Sequence, residues 1–352
     1  MNSNSEELLK IKVKKLFRNK EIRKMTRLTR KLMISILTVV LSISALGTTT
    51  FAWFTLTNVA TVESFSANIV SETGIEVSLD GETWYNSLTE AMIQEYITEK
   101  YGTFAFNHIT SADGQIMRSL GTASLPNVTA GSGHLELILF FRSENVQQLA
   151  WTAASLGGTG LIWRADVDFT DSKGEDVLAG TDVSLSPADA MRISVLSPVD
   201  VALTVDPLTP VVYENPSSGT NTVLGGLTGV DLSNGGVGAD GGLNYYYVKT
   251  GGNLPFGTDS VTVVGTETAI TSDPDNPFIV LNLNATNGDP VVYPNDTYYF
   301  TETLGKTVNY NATYGGYLVI NIWFEGYDAE AFNSLLGGEI IVGLEFKGFP
   351  FE

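Results

Sequence analysis

Apolar residues alternate with polar residues in short runs along most of the chain after residue 70. The run at 161–169 has an apolar residue at every second position, and a similar alternation recurs at 75–79 and 135–141. Turn residues such as Asp80 and Gly81 separate the runs. A period of two with turns between is typical of β-strands that bury one face. Further strands are predicted at 191–196, 201–205, 211–213, 244–249, 260–264, 278–283, 298–301, 317–324 and 340–346.

These strands predict an all-β fold, because no long helices separate them. The expected architecture is a jelly-roll-like antiparallel β-sandwich in one large domain, residues 71–352. Two short peripheral helices are predicted. The first covers 87–101, where Ser87 and Glu90 form a capping-box pattern. The second covers 328–336, with Asp328 as its N-cap and Gly337 beyond its end.

Glycine is concentrated in one stretch near residues 223–257, which contains 11 of the 35 glycines. This stretch predicts long loops around one strand, 244–249, with the sequence NYYYVK. Tyr245, Tyr246 and Tyr247 have two interpretations, a contact surface for a partner or side chains that pack within the domain. The glycines do not follow a strand and open a helix, so a nucleotide-binding fingerprint is not indicated.

Charge is distributed very unevenly along the chain. Residues 1–31 contain 11 Lys and Arg and three acids, which leaves nine basic and 36 acidic residues for 32–352, a formal charge of −27. So negative a body repels phosphate backbones, and we expect no nucleic-acid partner. The chain has 352 residues, 43% of them apolar, which is enough for a sizeable core. It has no cysteine, so the fold depends on that core and on sheet hydrogen bonds.

The N-terminal part has the segment order of an export signal. The basic stretch 1–31 precedes an apolar run at 32–46, and small residues follow up to Ala52. This order predicts a secretory signal, 32–52, cleaved by a signal peptidase between Ala52 and Trp53, with Met25 as an alternative start. The alternative is a retained membrane helix, because 32–56 are 25 uncharged residues, long enough to cross a bilayer. Both outcomes place the body outside the cytoplasm, as an extracellular or cell-surface protein.

Directly after this junction, residues 53–70 have the character of a first β-strand. The segment contains neither Gly nor Pro and has one charged residue, Glu63. Its apolar members are Trp53, Phe54, Leu56, Val59, Val62, Phe65, Ala67 and Ile69. Such a strand can complete an open sheet edge of a neighbouring subunit by β-augmentation, or it can pair within its own domain as an ordinary first strand.

Catalytic chemistry finds little support in the sequence. There are two histidines, His108 and His134, with neither a zinc-peptidase motif nor a nucleophile elbow, and we expect no enzymatic activity. Both histidines are expected at strand ends or on the surface.

One acid-rich stretch, RADVDFTDSKGED, is a weak calcium candidate. Its carboxylates are Asp166, Asp168, Asp171, Glu175 and Asp176. The alternative interpretation is a solvated strand face, because Asp166 and Asp168 alternate with apolar neighbours. No other cofactor is expected.

The junction SALGTTTFAWFT resembles the exported precursors of the TasA/camelysin group, surface and biofilm-matrix proteins of Gram-positive bacteria. The matching positions are 47–50, Phe51, Ala52, Trp53 and Phe54. The resemblance implies a jelly-roll body and, as in TasA, fibres in which the N-terminal strand of one subunit completes the sheet of the next. For this chain it implies a homo-oligomer or filament formed by strand exchange through residues 53–69.

Two functions therefore remain open. One is an exported structural protein that self-assembles at the cell surface or in extracellular matrix fibres through its N-terminal strand. The other is a membrane-anchored surface binding module or adhesin that presents the Gly/Tyr-rich loops.

Overall fold

A computed structural model describes residues 60–61, 65–71, 74–120, 127–171, 173–197, 210–215, 241–252, 270–293, 298–299, 302–328, 330–332 and 340–349. All of these belong to one compact unit, Asn58–Glu352. The predicted signal, cleavage site and anchor lie outside the described residues. Among the helices that are described, none combines the length and the apolar character needed to cross a bilayer.

The described residues form many short strands and two α-helices. The strands are β1 (Ala60–Thr61), β2 (Phe65–Ser71), β3 (Ile75–Ser78), β4 (Ser87–Leu88), β5 (Ala105–Phe106), β6 (His108–Ser111), β7 (Met117–Ser119), β8 (His134–Ser143), β9 (Gln148–Gly158), β10 (Leu161–Arg164), β11 (Phe169–Thr170), β12 (Asp176–Val177), β13 (Asp182–Leu185), β14 (Met191–Leu196), β15 (Val211–Glu214), β16 (Ile279–Asn282), β17 (Asn284–Ala285), β18 (Val291–Tyr293), β19 (Tyr298–Tyr299), β20 (Glu302–Thr303), β21 (Lys306–Val308), β22 (Tyr314–Glu325) and β23 (Ile340–Phe349). The helices are α1 (Glu90–Tyr101) and α2 (Gly242–Lys249), and a 3-10 helix spans Pro187–Ala190. The protein is all-β, and no sheet in the described part of the chain closes into a barrel.

Two sheets contain most of these strands. In the eight-stranded sheet, β22 pairs along one edge with β14 and β17, and along the other with β8 and, in parallel, with β6. β15, β3 and β7 extend the sheet beside β14, β8 and β6. The five-stranded sheet has the order β16-β9-β23-β2-β4, and its β2 and β23 run parallel.

Aromatic side chains join the two sheets face to face. The ring of Phe141 in β8 lies 5.5 Å from that of Phe346 in β23. Trp151 in β9 contacts both Phe346 and, in β15, Tyr213. The apolar area that these contacts remove from water stabilises the pair of sheets. This arrangement is compatible with a β-sandwich.

The eight-stranded sheet buries its other face too, which we call the outer face. Every residue of β22 after Tyr314 is buried, and so are nine of the ten in β8. On the outer face, Phe140 and Tyr317 belong to a cluster completed by Ile138, Tyr293, Leu304, Val308, Tyr310 and Val319. The sequence predicts one buried face for 135–141, whereas both faces are covered. This cover explains why apolar residues run almost without interruption through β8 and β22.

The first predicted helix is confirmed, but it starts later than the capping box indicates. Ser87 lies in β4, which pairs with β2, and α1 begins at Glu90. Thr89 is its N-cap, and its hydroxyl accepts from the backbone N of Met92. Ser87 and Leu88, which the sequence pattern places at the start of the helix, are therefore paired in a sheet instead.

The prediction of a strand at 244–249 is wrong, because these residues form most of α2. Tyrosine favours strands in general, but tertiary packing overrides so weak a preference. Tyr245 and Tyr246 are buried in α2, and the Asn244 Oδ1 accepts from the backbone N of Thr170. The packing interpretation of the tyrosines is thus the one the fold supports.

Two other predictions need correction. The strand at 161–169 ends at Arg164 and resumes at Phe169 after a bend, although burial still alternates through the bend. Asp328, which the sequence predicts as a helix N-cap, is 1% exposed and accepts from Arg192. Of the predicted second helix, the described residues 328 and 330–332 are not helical, and 333–336 lie outside them. The strands predicted at 201–205 and 260–264 also lie outside.

Candidate functional site

The N-terminal strand β2 pairs with β23 over seven residues. Phe65 lies opposite Ile340, Ser71 lies opposite Phe346, and the strands run parallel. β23 is in turn paired with β9 on its other edge. The edge of β23 that β2 covers is therefore a row of backbone donors and acceptors that requires a partner strand.

On its other edge β2 has little support. β4 pairs with it only at Ile69 and Val70. Beyond Ser71 the chain crosses to the eight-stranded sheet, where β3 begins at Ile75. Gly74 between them has φ +95°, and no atom lies within 4 Å of where a Cβ would be. β2 is thus a strand held mainly by one neighbour and followed by a permissive glycine.

The predicted assembly residues fall partly within β2. Phe65, Ala67 and Ile69 lie in this strand. The cleavage site at Ala52 and the remaining assembly residues lie outside the described residues, namely Trp53, Phe54, Leu56, Val59 and Val62. Within the single chain, β2 pairs with β23 of the same chain. Exchange with a neighbouring subunit stays a prediction.

Two of the five calcium candidates, Asp166 and Asp168, use their carboxylates in local contacts. Asp166 forms an ion pair with Lys249 and accepts from the hydroxyl of Tyr245 at 3.0 Å. Burial alone would raise the pKa of Asp166. The hydrogen bonds from Lys249 and Tyr245 and the charge of Lys249 outweigh burial, so the pKa is lowered. Asp168 Oδ1 accepts from the backbone N of Ala179 at 2.7 Å.

The other three candidates lie in the next turn. Asp171 Oδ1 accepts from the backbone N atoms of Lys173 and Glu175, at 2.9 and 2.8 Å. Glu175 and Asp176 are exposed. In the described part of the chain, no three His, Asp or Glu side chains are grouped so that they could hold a metal ion. These contacts resemble those of a solvated turn.

An aromatic cluster lies beside the acid-rich stretch 164–176, which we call the acidic arm. Trp163 of β10 lies 4.9 Å from Tyr245 and 5.0 Å from Phe332, measured between ring centroids. Phe169 of β11 contacts all three rings. The cluster joins the arm, α2 and the segment after β22.

A buried charge cluster on the outer face is the feature that sequence reasoning missed. Arg192 of β14 is fully buried, and its Nη2 lies 3.0 Å from Glu214 Oε2 and 2.5 Å from Asp328 Oδ2. Its Nη1 donates to the backbone O of Met191 at 3.1 Å. Since the two acids come from β15 and from the turn after β22, Arg192 holds three elements together.

Glu325, the last residue of β22, lies beside this cluster and is also fully buried. Its Oε2 accepts from Trp323 Nε1 at 3.1 Å, and its Oε1 accepts from the backbone N of Tyr327 at 3.3 Å. Burial raises the pKa of Glu325 to about 7, although the charge of Arg192 and hydrogen bonds such as that from Trp323 lower it.

The strand register aligns further polar residues with this cluster. Trp323 lies opposite Arg192 on one side and His134 on the other. Asn321, two residues before Trp323 in β22, lies opposite Ser194 in β14 and Glu136 in β8. The sequence does contain a signal for these aligned polar residues. A charged or amide residue interrupts each apolar run, as Glu136 does between two leucines.

The two histidines begin β6 and β8, so their predicted position at strand ends is confirmed, whereas a surface position is wrong. His134 is 1% exposed, and both ring nitrogens of His108 are buried. Burial lowers the pKa of each histidine to about 4, which keeps both rings neutral at neutral pH.

No protein-family model matches the chain, and searches of curated proteins and of solved structures find no significant similarity either. Function must therefore be argued from the residues and contacts above.

Proposed function

We propose that the protein is an exported structural protein that self-assembles at the cell surface or in extracellular matrix fibres. In the assembly, β2 of one subunit pairs with β23 of the next, on a jelly-roll body. The observation that carries the proposal is the parallel β2–β23 pairing, in which a strand near the N-terminus covers an edge it could also cover in a neighbour. The signal-like order of residues 1–52 and the TasA/camelysin-like junction support export and assembly.

Exchange of β2 preserves the contacts of the closed chain. Every subunit has the same β2 and β23, so all seven residue pairs form again in the same register between subunits. The two forms then differ mainly in the connection from β2 to β3, where Gly74 tolerates a wide range of backbone angles. When the contacts are equal, subunit concentration decides between the closed and the exchanged form. An attached signal would tether β2 at the membrane, so cleavage at Ala52 would release it.

Cysteine cross-linking tests this directly, because the chain has no cysteine of its own. Ser66 lies opposite Ile341, which is 43% exposed, so a cysteine at 341 leaves the core intact. Two single variants of a chain that starts at Trp53, Ser66→Cys and Ile341→Cys, are mixed, assembled and oxidised. We expect disulfide-linked dimers between the two variants, because exchange brings residue 66 of one chain opposite residue 341 of another.

The matched control replaces Ile341→Cys by Glu345→Cys. Glu345 lies four residues further along β23, about 13 Å from the position opposite Ser66. A disulfide requires Cα atoms within about 7 Å, so this mixture should give no specific dimer. Equal dimer yields from both mixtures, or monomers from both, would contradict strand exchange.

The double variant Ser66→Cys/Ile341→Cys gives a second, reversible test. Oxidised within one dilute chain, it locks β2 onto its own β23 and should leave only monomers by electron microscopy and sedimentation. Reduction should restore assembly. Filaments from the locked chain would show that assembly uses another surface.

The alternative, a membrane-anchored binding module, depends on an exposed tyrosine-rich surface. Tyr245 and Tyr246 are buried in α2, and this speaks against such a surface. N-terminal sequencing of the native protein distinguishes the two functions, since only the anchored form keeps residues 32–56.

A further inference from the structure

The outer face of the eight-stranded sheet and its surroundings bury more acids than cations. Four acids are at most 3% exposed, namely Glu136, Glu214, Glu325 and Asp328. Arg192 is the one Lys or Arg among the described residues that is buried as a whole residue, and these residues include all nine Lys and Arg that follow residue 31. A buried charge is costly unless it is paired or neutralised.

Of the acids beside Arg192, Glu325 is the one that the guanidinium does not pair with directly. Arg192 Nη2 is already engaged by Glu214 and Asp328. The two oxygens of Glu325 contact uncharged donors, the indole of Trp323 and the backbone N of Tyr327. In the part of the chain that the structure describes, no Lys or Arg lies within ion-pair distance of Glu325.

The segment after β22, which we call the strap, consists of residues 326–328 and 330–332. Its Gly326 N donates to the backbone O of Ile109 at 2.7 Å, and its Asp328 pairs with Arg192. Phe332, at its end, packs in the aromatic cluster with Trp163. The strap therefore joins the eight-stranded sheet to the acidic arm, and Glu325 lies at its start.

We propose that Glu325 takes up a proton when the protein folds at mildly acidic pH, and that loss of this proton as the pH rises through neutrality loosens the strap. An ionised Glu325 would place a second unneutralised negative charge beside Asp328, the residue through which the strap binds Arg192. Burial raises the pKa of Glu325 to about 7, which agrees with this proposal.

The groups around Glu325 act in both directions. The charge of Arg192 in β14 lowers the pKa of Glu325 and favours its charged form. Glu214 of β15 and Asp328 of the strap are acids paired with the same guanidinium, and negative charges nearby disfavour a further one. Next to Asp328, burial raises the pKa of Asp189 in the 3-10 helix, and the charge of Asp328 adds to this rise. His108 of β6 and His134 of β8 contribute no charge at neutral pH, because burial lowers the pKa of each to about 4.

The pH dependence follows from these directions. The pKa of Glu325 is raised from 4.5, so its stabilising contribution is complete below about pH 4.5 and is lost as the pH rises to about 7. The pKa values of the histidines are lowered from 6.5, so they destabilise the fold as the pH falls below about 6.5. The two effects oppose each other in overall stability, and a readout specific to Glu325 is required.

The indole N–H of Trp323 provides that readout, because it donates to Glu325. In the unmodified protein, its NMR signal should titrate with a midpoint near pH 7. The indole N–H of Trp151 donates to the backbone O of Ala153 at 2.9 Å and is the internal control, with no titration expected. A Trp323 signal that is constant from about pH 5.5 to about 8.5, or that titrates below about pH 5, would overturn the proposal. So would a titration that moves on addition of EDTA, since a bound cation would then neutralise the site.

The variant Glu325→Gln, which resembles the protonated acid in shape, tests the effect on the strap. The unfolding constant of the unmodified protein relative to that of the variant should rise on the order of 50-fold between about pH 5 and about pH 8. Glu95→Gln, at an exposed position of α1, is the control and should give a constant ratio. A constant ratio for Glu325→Gln as well would show that no proton is taken up at this residue on folding.

Discussion

Arg192 lies in a run, MRISVL, whose other members are suited to a buried strand, so the sequence indicates that its side chain should leave the core. The fold instead buries it completely, because acids from two other elements converge on it. Glu214 directly follows the strand predicted at 211–213, so a position beside a neighbouring strand could be anticipated for it. Asp328 could not, because the sequence places it at a helix start 136 residues away.

Replacing this residue should be strongly destabilising. Arg192→Met keeps most of the volume but leaves Glu214 and Asp328 buried without their cation, and we expect a loss of about 3–5 kcal/mol in the free energy of unfolding. Urea titration measures it. The control is Arg164→Met, whose pair with Asp182 is 4.0 Å long and largely exposed, with an expected loss below about 1 kcal/mol. Similar losses in both variants would contradict the stated role of Arg192.

At the scale of elements, two hairpin connections share the sequence Ser-x-Asp-Gly. Ser78 ends β3 and is followed by Asp80 and Gly81, and the sequence repeats this order in Ser111, Asp113 and Gly114 after β6. In both, the Asp Oδ1 accepts from two backbone N atoms at 2.8 Å, and the Gly N donates to the Ser Oγ. The two glycines have φ +71° and +72° and approach Val308 and Val212 on the outer face.

Loss of either aspartate should weaken its hairpin. Asp113→Ala and Asp80→Ala each remove the acceptor of two turn N–H groups, and we expect about 1–2 kcal/mol less stability in thermal or urea unfolding. Asp273→Ala is the control, since its Oδ1 accepts from one exposed backbone N, that of Asp275. If all three variants behave alike, the shared hairpin connection has no special role in stability.

Element prediction failed where side-chain size or tertiary packing outweighed the hydrophobic pattern. β9 lies inside the five-stranded sheet, between β16 and β23, but the sequence does not predict it, because the small residues Ala153, Ser155 and Gly157 interrupt the alternation of apolar and polar positions. β14 was predicted with its observed bounds, because its apolar residues suit a covered strand. α2 was predicted as a strand, because nothing local to 244–249 shows that Trp163 and Phe332 would surround Tyr245.

At the scale of the whole molecule, charge governs how subunits approach one another. Residues 32–352 carry a formal charge of −27, and neither the signal segment nor its cleavage changes this value. Subunits that exchange β2 must come together against this repulsion. Salt shortens its range from about 10 Å at 0.1 M to about 3 Å at 1 M.

Assembly of the chain that starts at Trp53 should therefore increase with ionic strength. Sedimentation velocity at about 0.02 M and about 0.5 M NaCl should show a shift from monomers to polymers. Magnesium and calcium chloride at matched ionic strength form the control pair. Equal assembly in the two salts would assign the change to screening. Stronger assembly in calcium would support a calcium site in the acidic arm. Assembly that weakens with salt would contradict the repulsion argument.

The sequence by itself determined the all-β class, most of the long strands and the extreme charge asymmetry, because all three follow from local patterns of residue type. Only the tertiary structure decided that β2 lies parallel to β23, that β22 is covered on both faces, and that Arg192 meets Glu214 and Asp328. These features depend on residues far apart in the chain, and no local pattern specifies which distant partners will meet.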